Sequence, residues 1–112
     1  MKIKYYIKSE GGGDYPWVKS DFVVNDLDLI ELLLSSDLSL MKKVDEFEKT
    51  VFVENNIWWF NATKVESSGR DFLISAAFDI TTNKVIDGST LKKIISHWKD
   101  FLVTKKEFVC NY

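Results

Sequence analysis

Few residues in this chain have the type and spacing to do chemistry. The single histidine, His97, and the single cysteine, Cys110, make no zinc site between them. Nothing beside His97 in the sequence supplies a nucleophile, and its expected partner is Asp100 or the backbone next to Lys93. Cys110 reads as a small apolar residue. Asp45, Glu46 and Glu48 are close enough to meet at a cation, but they lack the spacing and the glycine of a calcium loop. Residues 13–20 match the spacing of a phosphate-binding loop, with Val18 at its second glycine. Val18 prevents the backbone from wrapping a phosphate, Pro16 removes an amide donor and Asp14 adds negative charge. The stretch is therefore expected to be a loop whose Tyr15 and Trp17 cover an edge of the core. Asn61-Ala62-Thr63 is a glycosylation sequon only in a secreted chain. No catalytic residue, metal ligand or cofactor is assigned, and the chain is not expected to be an enzyme. A small sheet-cavity isomerase or hydrolase would need an acid–base pair that the sequence does not offer.

The remaining chemistry is that of binding. Ile57-Trp58-Trp59-Phe60 places two tryptophans side by side in an extended apolar run. Neighbours on a strand point to opposite faces, so one tryptophan enters the core and the other cannot. Trp58 is expected to join the face of Phe72, Ile74 and Phe78. Trp59 then lies under a helix or stands exposed as an aromatic anchor for a partner.

The elements that position these residues follow from periodicity. Ile3, Tyr5 and Ile7 alternate with lysines, which predicts an edge strand over 2–8, followed by a glycine loop at 11–13. Asn25 or Asp26 is expected to cap a helix running to about Ser36, and Ser36-Asp37 a second short turn through Leu40 and Met41. Strands are predicted over about 48–54, 57–66 and 71–81, joined by Asn55-Asn56 and by Ser67-Ser68-Gly69-Arg70. In the first, Phe47, Val51 and Val53 share strand parity, but Phe47 to Val51 also fits a helix, and the strand is preferred over at least 50–54. Thr82-Asn83 reads as a turn before a short extended piece. Asp87-Gly88-Ser89 then caps the clearest helix, whose stripe is Leu91, Ile94, Ile95, Trp98, Phe101 and Leu102. Residues 106–112 form a last short strand or a tail. The fold class is α+β: a three-strand antiparallel meander plus an N-terminal strand, packed against two or more helices in one domain spanning 1–112.

Composition bounds the function classes. Of the 112 residues, 46% are apolar and 14% aromatic, enough for a packed core. One cysteine, a lysine-broken N-terminus and no long apolar run predict a cytoplasmic protein with no membrane span. Net charge is −2, but residues 10–54 hold eleven acids against four lysines. Such a block disfavours direct binding of nucleic acid and suits a basic protein partner.

The acidic block from Glu10 to Glu54, the Trp58-Trp59 strand and the lack of catalytic residues together resemble the immunity proteins of bacterial contact-dependent inhibition and related polymorphic toxin systems. Those are small cytoplasmic α+β proteins. The resemblance implies neutralisation of a cognate toxin domain, often a nuclease, by binding over its active site. The expected contact residues are Asp26, Asp28, Glu31, Asp45, Glu46, Glu48 and Trp59. The alternative is a small ligand- or peptide-binding module with a pocket lined by Trp58, Phe60, Phe78 and Trp98.

Overall fold

A computed structural model describes residues 1–52 and 56–112. The chain is α+β, with antiparallel sheets packed against helices. It opens with a hairpin of β1 (Lys2–Glu10) and β2 (Gly13–Ser20). Gly11 and Gly12 turn it at φ +60° and +80°, a geometry that glycine adopts at little cost. The expected loop at 13–20 is thus a strand. Pro16 sits opposite Ile7 within it, which is tolerated because β2 is an edge strand. β1 is the centre of this sheet rather than an edge, since β9 (Phe108–Asn111) pairs along its other side. The lysines of β1 point outward while Ile3 and Tyr5 are fully buried. Met1 and Tyr112 extend the β1–β9 ladder by exchanging backbone hydrogen bonds of 2.7 and 2.9 Å.

A two-strand ribbon, β3 (Val23–Val24) and β4 (Leu27–Asp28), comes next. Asn25 and Asp26 form its turn, both at positive φ, so neither caps a helix. The cap is Asp28, whose carboxylate accepts from the Glu31 amide. One turn of α1 (Leu29–Glu31) passes directly into a π-helix, Leu32–Asp37, closed by the Leu38 amide on the Leu33 carbonyl. Leu29, Ile30, Leu33, Leu34 and Leu38 are all buried, and the wider winding lets this crowded apolar run face the core.

Helix α2 (Met41–Val51) occupies most of the region expected as the first meander strand. Val44, Phe47 and Val51 bury one helical face, so the i, i+3, i+7 period prevails over strand parity. Its N-cap is Leu40, not Ser36 or Asp37. The C-terminal end of that expected strand, with Val53, Glu54 and the turn residue Asn55, lies outside the described residues.

The second sheet has the order β5 (Ile57–Trp59), β6 (Thr63–Ser68), β7 (Asp71–Ala76), β8 (Asp79–Asp87). The predicted single strand 57–66 is itself a hairpin, with Trp58 opposite Val65 and Trp59 opposite Lys64. The predicted strand 71–81 likewise folds back at Ala77-Phe78, and Thr82-Asn83 lies within β8 instead of a turn. The 17-residue helix α3 (Gly88–Thr104) begins at the expected Asp87 cap. Leu91, Ile94, Ile95, Trp98 and Phe101 are fully buried, and the Trp98 indole donates to the Leu38 carbonyl at 2.8 Å. Gly88 is required there because a Cβ would come within 2.5 Å of the Arg70 carbonyl. The buried apolar residues form one cluster.

Candidate functional site

The β5–β8 sheet has two unlike faces. Inward, Trp58, Val65 and Ile74 share a cross-strand row against the core. Outward, Ile57, Glu66, Leu73 and Val85 form one row, and Trp59, Lys64, Ser75 and Asn83 the next. These rows are open at the outer strands, where Ile57, Trp59 and Val85 are exposed, Trp59 by 58%, while Leu73 is half-buried and Ser75 buried on the inner strand β7. The expectation of a helix over Trp59 is thus corrected. Lys64 lies over Trp59, its Nζ 4.9 Å from the ring centroid, and also pairs with Glu66 at 3.8 Å. Beside Trp59 lies a groove of about 330 Å³ reaching Leu40 and Lys43 at the start of α2. Leu40 is itself exposed.

This rim is fixed by one carboxylate. Asp37, at the end of the π-helix, accepts from the Ala62 amide at 3.0 Å and the Thr63 amide at 2.9 Å. The Thr63 hydroxyl donates to it at 2.6 Å. Asp37 thereby pins the β5–β6 turn. No strand or helix period reveals such a contact between segments 25 residues apart, so it is absent from the expected site.

The six expected acidic contacts do not form one patch. Asp28 is spent on structure: it accepts from the Ser20 amide at 2.7 Å, the Ser20 hydroxyl at 2.6 Å and the Glu31 amide at 3.0 Å. Asp45 and Glu48 both face Lys99 of α3, at 3.4 and 2.7 Å, and bridge the two helices. The Glu48 hydrogen bond is the main cause holding the Lys99 ammonium above its ordinary range. Glu46 lies 4.0 Å from Lys43 on its own helix. Asp26 is exposed in the β3–β4 turn and Glu31 is half-buried, and neither carboxylate takes a hydrogen bond or ion pair among the described residues.

His97 does not meet Asp100. Its Nδ1 lies 2.6 Å from the Tyr112 hydroxyl, which lies 2.6 Å from the Tyr5 hydroxyl. Burial pushes both tyrosine hydroxyls well above their ordinary range, so they stay protonated and serve as hydrogen-bonding groups. Cys110, on β9, is half-buried. Phe78 is exposed at a hairpin tip while Trp98 lies in the core, so the four aromatics of the alternative pocket do not share a cavity. Among the described residues, no cluster of three or more His, Cys, Asp or Glu is arranged to hold a metal, and no helix is long and apolar enough to cross a membrane. No protein-family model matches this chain, and no curated protein or solved structure gives a significant match.

Proposed function

We propose that this chain is a protein-binding inhibitor of the immunity type. In this reading it works in the cytoplasm and neutralises a cognate toxin domain by covering its active site. The observation that carries the proposal is the open outward face of the β5–β8 sheet, with Trp59 standing on it beside the Leu40–Lys43 groove. A sheet face with an exposed tryptophan on its edge strand and charged neighbours has the composition of a binding hot spot. Asp26, Glu31 and Glu46 remain available to steer a basic partner, whereas Asp28, Asp45 and Glu48 act within the fold.

The test is capture of the partner from the native host, followed by expression of that partner alone and together with this chain. The expected result is a stoichiometric protein that arrests growth alone and is harmless in the pair. Trp59→Ala should weaken the complex by more than about 1 kcal/mol and leave the melting curve unchanged, because the side chain packs little in the free protein. A captured partner with no toxicity, or a Trp59→Ala variant that binds as well as the parent, overturns the proposal.

A further inference from the structure

We infer that the outward face of the β2–β1–β9 sheet is a second, independent site that binds single-stranded nucleic acid. Strand alternation puts Lys2, Lys4, Tyr6 and Lys8 on one face of β1, opposite the buried Ile3 and Tyr5. The register then sets Lys19 against Lys4, Trp17 against Tyr6 and Tyr15 against Lys8. Two adjacent strands thereby carry four lysines interleaved with three aromatic rings. Lys8 Nζ sits 4.4 Å from the Trp17 ring centroid and Lys4 Nζ 5.2 Å from that of Tyr6. Lys2, Lys4 and Lys19 line a groove of about 300 Å³ and pair with no carboxylate among the described residues.

This combination selects the occupant. Single strands bind by stacking bases on aromatic side chains while cations follow the phosphates, and the stacking tolerates any base. Tyr6 and Trp17 are cross-strand neighbours, so they offer two adjacent stacking positions, with ammonium groups beside each. An acidic peptide would use the lysines and leave the rings idle. A membrane surface would call for more apolar projection than Val109 provides on this face. Acids flank this face on several sides. Glu10 pairs with Lys8 at 3.3 Å, and Asp21 closes the groove by accepting from the Lys2 amide. Burial and then the charge of Glu31, with Asp28 adding to it and Lys8 opposing it, push the Tyr6 hydroxyl above its ordinary range. The side chains of Lys2, Lys4 and Lys19 nevertheless leave their ammonium groups without a carboxylate partner among the described residues, so this part of the face is cationic although the chain as a whole is acidic.

The test is fluorescence anisotropy of labelled dT10 and U10 with the intact protein at low salt, with polyglutamate and anionic phosphatidylserine vesicles as competitors. The expected Kd is on the order of 10⁻⁵ M, weakening with salt by roughly 0.7 log units per decade for each phosphate neutralised. Lys4→Gln/Lys19→Gln should lose at least about tenfold in affinity, the scale that base and phosphate contacts carry. Trp17→Ser should lose a similar factor while Trp17→Phe keeps it. Trp59→Ala should bind as the parent does, which separates this site from the inhibitor face. The inference is overturned if neither oligonucleotide binds, if the lysine pair variant, folded by circular dichroism, binds unchanged, or if polyglutamate or the vesicles compete as well as unlabelled oligonucleotide. Should Trp17→Ser fail to fold, the lysine variant decides the matter alone.

Discussion

At the residue scale, the hydroxyl of Tyr112 sits between two side-chain partners. It joins β9, β1 and α3 by contacting Tyr5 and His97, each at 2.6 Å. Tyr112→Phe would leave both partners without their bond in a half-buried place, so unfolding by denaturant should show a loss of about 1–3 kcal/mol. An unchanged midpoint would mean that water replaces the hydroxyl at no cost. None of this was legible in the sequence, because Tyr5, His97 and Tyr112 share no local period. The tryptophan pair was legible in part: alternation alone assigns Trp58 and Trp59 to opposite faces. Whether a helix would cover Trp59 depends on where distant segments pack, which alternation does not encode.

At the element scale, helix α3 was the easiest to foresee. Its Asp87 cap and its stripe from Leu91 to Phe101 agree at every level. The strands were read too long because a hairpin and a strand can share one run of residues. A single strand would put Trp58 and Val65 on opposite faces, but the reversal at Phe60–Ala62 shifts the parity and brings both to the inward row, a shift that the apolar pattern alone does not mark. The reversal is held from outside by Asp37. Asp37→Ala would leave the Ala62 and Thr63 amides without their acceptor next to the buried Thr63, at a cost of roughly 1.5–3 kcal/mol. Hydrogen exchange should then accelerate at those two amides before any in α3. Equal acceleration throughout would show that Asp37 supports the whole fold and not this turn. The first helix was misplaced for a related reason: Asn25 and Asp26 suit both a helix cap and a two-residue hairpin turn, and the β3–β4 pairing selects the second.

At the scale of the whole molecule, charge shapes stability against pH. The Ser89 hydroxyl, followed by the Thr90 amide, holds the Asp87 carboxyl below its ordinary range. The Thr81 hydroxyl, followed by that of Thr82, does the same for Asp79. A carboxyl whose pKa is lower folded than unfolded adds stability above its unfolded value of about 3.9, and that stability is lost as pH falls through the folded value. The melting temperature should therefore fall below about pH 4. Asp79→Asn/Asp87→Asn should flatten that decline, since asparagine still caps a helix but does not titrate. An identical acid slope in parent and variant would rule these two groups out as its source. The counted charges were legible from the start. Their placement was not, because Lys99 neutralises two of the acids from a helix about fifty residues away.

The pairing of β9 with β1 also bears on how the chain reaches this state. During synthesis the β1–β2 hairpin emerges early, but one side of β1 stays open until residues 108–111 leave the ribosome. An unpaired strand edge invites pairing with another nascent chain. Lys2, Lys4 and Lys8, which project from that strand, place like charges on any copy that approaches, so they guard the edge through the interval before its own partner arrives.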